Sequence, residues 1–492
     1  MLLRDLVAPE GPLADAEVLG SPAPADLDVT SVAHDSRAVA PGALFACIPG
    51  ELTDGHDHAP DAVAAGAVAL LVDRPLDLDV VQILVGSVRA GLGPAAAAVE
   101  GNPSRHIVVV GVTGTNGKTS TTLLLESVFT AAGLRPGVVG TLGARIAGEH
   151  HPGARTTPEA PDLQRSLAMM RASGVEAVAM EVSSHALEQH RVDGTWFTAA
   201  CFTNLSHEHL DYHGTLEAYF EAKAALFTPD HTGAAALNVD DAHGRVLRER
   251  LEGSPLDVAT FGETTPATWS TAAVRSTGWT TSFTLLREGQ GVGTVTLALP
   301  GAWNRQNALA AAATAALAGV PADSIVAGLS RRVPIPGRLE RITEAEPFDV
   351  VVDYAHTPDA LARVLDTARS LARGRVRVVV GCGGDRDRGK RPLMGRAAAQ
   401  GADEVIITSD NPRSEDPGDI ARAVAEGARA SGAEPLTELD RRRAVYRAIE
   451  DAEPGDIVVI AGKGHEQGQE IHGELVPFDD REVARRAIEE LR

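Results

Sequence analysis

Cysteine is nearly missing from this sequence: Cys47, Cys201 and Cys382 are the only three, far apart and odd in number. That usage excludes a disulfide framework and fits a reducing, cytoplasmic setting. Basic residues are outnumbered, 45 Lys and Arg against 67 Asp and Glu, for a net charge of −22. With no long basic stretch to offset it, this balance excludes a nucleic-acid partner, and phosphates can be bound only in local pockets. No run approaches the ~20 apolar residues that cross a bilayer. The N-terminus, MLLRDLVAPEGPL, carries acids early and lacks the apolar stretch of a signal peptide. Membrane insertion is therefore not expected. Aromatic residues are scarce, at 4%. Glycine and alanine are abundant instead, which suits α/β architecture with tight turns. At 492 residues the chain is long for one core, so two or three domains are expected.

Three blocks follow one another. The first holds two short apolar runs, GALFACIPG and AVALLVD, which read as strands around a helical DAVAAGA. It ends in the turn-rich EGNPSR at residues 100–105. The second opens with HIVVVGV and continues with strand-like GVEAVAMEVSS, TAACFTNLS and AAALNVD, separated by helical runs. Such alternation predicts a mostly parallel sheet. An alanine-rich helix, NALAAAATAALAGV, and the turn cluster VPIPGRLE close the block. The third begins strand, helix, strand. In its helix Leu361, Val364, Leu365, Ala368 and Leu371 share one face. With ADEVIITSD and DIVVIAGKG as further strands it reads as a small doubly wound domain, with ligands expected beyond the carboxyl ends of its strands.

The strongest local signal is HIVVVGVTGTNGKTSTTLLLESVF. A buried strand leads through Gly114, Thr115, Asn116 and Gly117 to Lys118, Thr119 and Ser120, and then into a helix. Glycines let backbone N–H groups face phosphate oxygens, and a helix N-terminus adds favourable partial charge. Lys118 would reach the β- and γ-phosphates and the Thr119 hydroxyl would hold Mg²⁺. The strict P-loop spacing is not met, because Val112 stands five residues before Gly117. Glu181 ends an apolar strand, where either a Mg²⁺ ligand or a capping acid fits. SHEHLDYHG offers His207, Glu208, His209, Asp211 and His213. Its spacing is not H-E-x-x-H and no cysteine is near, so no zinc site is read there. GCGGDRD lacks the G-x-G-x-x-G spacing, and NAD binding is rejected.

GTNGKTS, EVSSHAL, LDYHG, the lysine of FEAKAALF, GAWNRQNALAA, PGRLE, DYAHTPDAL and GCGGDRDRGKRP occur in this order. Together they resemble the Mur ligase family, from DSR near residue 35 to GKGHE near residue 465. DNPR resembles the signature of the branch that adds meso-diaminopimelate to UDP-N-acetylmuramoyl-L-alanyl-D-glutamate in peptidoglycan precursor synthesis. The resemblance implies three α/β domains. These are a UDP-substrate domain at 1–103, a central ATP-binding P-loop parallel-sheet domain at 104–335, and a C-terminal Rossmann-like amino-acid-binding domain at 336–492. It implies an ATP-dependent, ADP-forming ligase that works through an acyl phosphate, and a monomer.

The resemblance also implies roles. Lys118, Lys223 and His209 are the catalytic set; Thr119, Glu181, His209 and Lys223 are the ligands of Mg²⁺, expected to be two ions. Lys223 matches a lysine that CO₂ converts to a carbamate; by itself it reads as a helix-surface lysine beside Phe220 and Phe227. Asn304, Asn307, Arg338, Asp353 and His356 resemble ATP-side contacts. Ser36, Leu52, Thr53, Thr156, Thr157, Ser183, Gln189 and Arg191 resemble contacts to the UDP-substrate. The sequence departs from the family with Arg155 in place of Asn and His207-Glu208 in place of Arg-Asp.

SDNPRSE, at residues 409–415, reads alone as a solvated loop before a helix capped by Asp416 with Pro417 first. Capping leaves Asp410, Asn411, Pro412 and Arg413 unexplained. For a zwitterionic distal end, Asp410 can pair the ammonium, Asn411 either group, and Arg413 the carboxylate. Pro412 stiffens the turn. Arg386, Gly462 and Glu466 match the rest of the family's pocket. The rival readings are a lysine-adding homologue and a nucleotide-switched binding protein without ligase chemistry.

Overall fold

Runs of Val, Ile and Ala flanked by glycine make the buried strands of this chain. In the computed structural model they form three main sheets, with residues 1–20, 27–50, 53–342 and 347–491 described. The N-terminal sheet comprises β1 (Glu17–Leu19), β2 (Ser31–Ala33), β3 (Ala43–Ala46), β4 (Ala69–Val72) and β5 (Val81–Leu84), in the order β1-β5-β4-β3-β2. GALFACIPG and AVALLVD supply its two fully buried strands, β3 and β4.

The central sheet has eleven strands. Its parallel middle is β6 (Val108–Thr113), β7 (Pro136–Gly140), β10 (Ala177–Glu181), β11 (Ala199–Phe202), β12 (Ala234–Asn238) and β13 (Asp257–Phe261). Antiparallel strands extend it at both ends. On one side are β8 (Gly143–Ile146) and β9 (Glu149–His151); on the other, β14 (Trp269–Thr277) joins β13 in parallel at one pair and carries the antiparallel β15 (Thr280–Arg287) and β16 (Gln290–Leu297). Helix α1 (Lys118–Ala131) and the alanine-rich α3 (Ala302–Leu317) bury one face, while α2 (Leu216–Ala224) packs on the other.

The third sheet runs β17-β18-β22-β19-β20-β21: β17 (Glu340–Ile342), β18 (Asp349–Asp353), β19 (Val376–Val380), β20 (Glu404–Ile407), β21 (Leu436–Thr437) and β22 (Ile457–Ala461). All its pairings are parallel except β17 with β18. Helix α4 (Pro358–Leu371) buries Leu361, Val364, Leu365 and Ala368 against it. Helix α5 (Pro417–Arg429) begins as its sequence predicts: Asp416 accepts from the N–H groups of Gly418 and Asp419, and Pro417 stands first. A hairpin, β23 (Gly468–Ile471) with β24 (Glu474–Pro477), stands apart. The chain is therefore α/β in three domains, with a central parallel-cored sheet and a doubly wound C-terminal sheet.

Candidate active site

The turn between β6 and α1 is dictated by contact. A Cβ on Gly114 (φ +143°) would stand 1.9 Å from the Thr203 hydroxyl oxygen, and one on Gly117 (φ +90°) 2.4 Å from Asn307 Oδ1. Only glycine fits both places. The Thr115 N–H donates to the Asn204 carbonyl and the Asn116 N–H to Asn204 Oδ1, which tie the loop to the end of β11. Lys118 folds back, Nζ donating to the carbonyls of Gly114 (2.9 Å) and Thr115 (2.8 Å). Burial pushes its pKa below the usual lysine range. Thr119 Oγ1 donates to Glu181 Oε1 at 3.0 Å, so the two groups expected at a metal adjoin. Glu181 also accepts from the N–H and hydroxyl of Thr141.

Lys223 is not a helix-surface lysine. It is 1% exposed, lies 4.4 Å from the Tyr219 ring centroid, and donates from Nζ to the Gly114 carbonyl at 2.9 Å. Burial, and then the neighbouring Lys118 charge, push its pKa well below the ordinary value. His209 adopts φ +55° at the start of a short helix, and burial lowers its pKa to about 4, so the ring is neutral at pH 7. Glu208 goes unassigned in the sequence but lines the same cavity. Burial alone would raise its pKa; the hydrogen bond from His356 Nε2 (3.0 Å) and the Lys118 charge hold it below the usual carboxylate range. Its position beside His209 in a His-rich loop was the available signal. Among the described residues no three His, Cys, Asp or Glu side chains gather as a metal cluster. A set of one hydroxyl, one carboxylate and one imidazole needs a further anionic oxygen to suit Mg²⁺.

A cavity of about 540 Å³ joins these groups to the C-terminal domain. Residues 115–120, Asn307, Arg338, Asp353 and His356 line it from the phosphate-loop side, and Thr156, Thr157, Ser183 and Arg191 from another. Thr157 Oγ1 donates to the Glu181 carbonyl at 2.9 Å and accepts from the Ser183 N–H. Gln189 accepts from Arg191 and does not line the cavity. Arg155 and Arg191 both pair with Glu159, a buried acid that sequence reasoning missed. Asn304 does not reach the cavity; it is 1% exposed, donates to the Pro300 carbonyl and accepts from Asn307 Nδ2. Ser36, which opens a short 3-10 helix, and Thr53 belong to the N-terminal domain and line no part of it, and Leu52 lies outside the described residues.

On the C-terminal side, Asp353 accepts from the N–H groups of Leu339 and Ala355, and burial raises its pKa. Arg338 stacks 4.3 Å over the Tyr354 ring. The DNPR turn sits beyond β20, between GCGGD and GKGHE. Arg413 (φ +52°) donates from Nε to Glu470 Oε2 (3.0 Å) and from Nη1 to the Gly384 carbonyl (2.7 Å), and its Nη2 is left uncommitted among the described residues. Asn411 Nδ2 donates to Glu466 Oε2 at 2.9 Å. Asp410 is buried against Gly462, where a Cβ would stand 2.6 Å from Asp410 Oδ2. Pro412 packs its carbonyl against Gly384. Of the diamino-acid set only Arg386 lines the large cavity, and it is exposed.

Comparison with known proteins agrees with this geometry. Residues 28–106 match "Mur ligase family, catalytic domain", 112–315 "Mur ligase middle domain" and 337–464 "Mur ligase, glutamate ligase domain". The chain is 47% identical over 480 residues to the UDP-N-acetylmuramoyl-L-alanyl-D-glutamate--2,6-diaminopimelate ligase of Corynebacterium efficiens, covering 94% of this chain and 91% of that protein. It is 43% identical over 470 residues to the enzyme of the same name from Geobacillus kaustophilus, covering 94% and 95%. A solved structure of a ligase of that name superposes with TM-score 0.69 at 35% identity, over 96% of this chain and 97% of the other. The chain belongs to the Mur ligase family, alongside its 2,6-diaminopimelate-adding members.

Proposed function

We infer that the protein is an ATP-dependent, ADP-forming ligase that joins meso-diaminopimelate to UDP-N-acetylmuramoyl-L-alanyl-D-glutamate in peptidoglycan precursor synthesis. The observation that carries this reading is the phosphate loop and the zwitterion-matched DNPR turn in one chain, with relatives named for that activity matching 94% of it. A carboxylate is a poor electrophile because oxide would have to leave. ATP removes the obstacle: the γ-phosphoryl group passes to the D-glutamyl γ-carboxylate, and ADP departs. The amine of diaminopimelate attacks the resulting acyl phosphate, the C–N bond forms, and phosphate leaves from the tetrahedral intermediate as the amine loses its proton. Lys118 and the loop N–H groups orient the triphosphate. Arg191, Thr156, Thr157 and Ser183 orient the acid from the opposite wall. Ser36, Leu52 and Thr53 hold the uridine end, and Gln189 steadies Arg191. Asn307, Arg338, Asp353 and His356 serve the nucleotide, with Asn304 bracing Asn307.

Thr119, Glu181 and His209 are of the donor types that hold Mg²⁺, with Lys223 as the fourth once carbamylated. Bound there, Mg²⁺ would neutralise phosphate charge. Burial supports the carbamate. A neutral Lys223 amine adds to CO₂, forming an N–C bond and releasing one N–H proton, and a buried repulsive cation becomes an anion. The functional domains are proposed to divide at 103/104 and 335/336, and the protein to act as a cytoplasmic monomer. Among the described residues no helix is long and apolar enough to cross a membrane.

The test is ADP release by purified protein. It should require ATP, the UDP-dipeptide and meso-diaminopimelate together. ATP turnover that ignores both substrates would instead identify a nucleotide-switched binding protein.

A further inference from the structure

Lys463 has no part in the roles above, yet it is 0% exposed. It sits in GKGHE just after β22, between Gly462 (φ +115°) and Gly464 (φ +55°). A Cβ on Gly464 would stand 2.7 Å from Tyr354 Cβ, and Gly462 abuts Asp410, so this tight turn threads the lysine beneath the DNPR segment. There Nζ donates to Asn411 Oδ1 and Glu466 Oε2, each at 2.9 Å, and lies 3.8 Å from Asp410 Oδ1. A buried ammonium is tolerated only where its donors and charge are met, and two carboxylates and an amide oxygen meet them here.

The contacts leave little freedom around them. Asn411 Oδ1 also accepts from the Glu470 N–H at 3.0 Å, while Nδ2 donates to Glu466 Oε2. Its amide is thus fixed in one orientation, with Oδ1 accepting twice and Nδ2 donating once. Glu466 Oε2 is engaged twice, and Oε1 has no partner among the described residues. Two carboxylates and one ammonium leave a single net negative charge, the complement of one ammonium. Arg386 and the uncommitted Nη2 of Arg413 offer the complement of one carboxylate.

We propose that Lys463 is the positioning residue of the diamino-acid pocket. It sets that pocket's charge at one negative and locks Asn411 and Glu466 so that Glu466 Oε1 is presented to the distal ammonium. Without Lys463 the pocket would carry two negative charges and a loosened Asn411. It would then favour a bare cation such as L-lysine relative to the zwitterion. The inference rests on the diaminopimelate reading above, which wild-type turnover with meso-diaminopimelate tests by itself.

The experiment uses the full-length Lys463→Met and Lys463→Gln variants. KM for ATP, the UDP-dipeptide and meso-diaminopimelate, the preference for diaminopimelate over L-lysine, and Tm are measured for each. Loss of charge-assisted hydrogen bonds should raise the diaminopimelate KM of Lys463→Met roughly 10- to 100-fold and lower its preference over lysine comparably. The other two KM values should stay within about twofold. Lys463→Gln, which keeps a donor for Asn411, should recover part of the loss. Folded variants with wild-type diaminopimelate KM and preference, a uniform rise in all three KM values, or failure of both variants to fold would overturn the positioning role. Absence of wild-type turnover with meso-diaminopimelate would instead overturn the substrate reading.

Discussion

The Gly114 carbonyl oxygen accepts from two lysines, Lys118 and Lys223, each at 2.9 Å. Two ammonium groups on one oxygen repel strongly in a buried site, and the conflict is eased when one is neutral. Lys223, the more deeply shifted, is the candidate, and its carbamylation would turn the repulsion into attraction. Lys223→Ala should lower kcat by roughly 100-fold or more, in the range of lost electrostatic stabilisation. Added bicarbonate should not restore that variant, whereas short-chain carboxylates such as acetate should do so in part. ADP-release rates check this, and near-wild-type activity in Lys223→Ala would refute the carbamate role. The phosphate-loop residues were legible because glycine spacing, Lys-Thr and a following helix each leave a local mark. The burial of Lys223 was not, because Phe220 and Phe227 look the same beside a snorkelling lysine as beside one packed under a loop. Glu208 was illegible for a related reason: its partner, His356, lies far away along the chain, and for Glu159 only the Arg155 half of its pairing is local.

At the scale of elements, the strand-to-helix turn holds its shape by exclusion. Gly117 is at φ +90° with Asn307 Oδ1 where a Cβ would go. Gly117→Ala should therefore cost about 1–2 kcal/mol in backbone strain and displace Asn307 as well. It should raise the ATP KM about tenfold or more, with the diaminopimelate KM little changed, as steady-state kinetics with each substrate varied would show. The buried strands HIVVVGV, DVVVDYAH, ADEVIITSD and DIVVIAGKG were readable as unbroken apolar runs, as was the cap at Asp416. The edge strands were not. β14 to β16 are rich in Thr, Ser and Gly with one face half-exposed, and their pairing is set by the neighbouring strand, not by composition.

Across the whole molecule, the central and C-terminal sheets meet at one cavity, and no residue of the N-terminal sheet lines it. The phosphate loop belongs to the central sheet, Arg338, Asp353 and His356 to the C-terminal one, and the Glu208–His356 hydrogen bond spans the two. Sequence order could suggest this division but not the cavity itself, which exists only where loops distant in sequence meet. The central claim is that an acid activated by ATP in the middle domain meets an amine whose far end is gripped as a zwitterion by the last. Leaving the Arg386 and Arg413 donors without their carboxylate, once the bound amino acid covers them, should discriminate against L-lysine by on the order of 10⁴-fold. The most direct test is the ratio of kcat/KM for meso-diaminopimelate to that for L-lysine, measured with the UDP-dipeptide and ATP saturating. The account predicts a ratio on that order, falling sharply in Arg413→Ala; equal use of the two amino acids, or a preference for lysine, would contradict it.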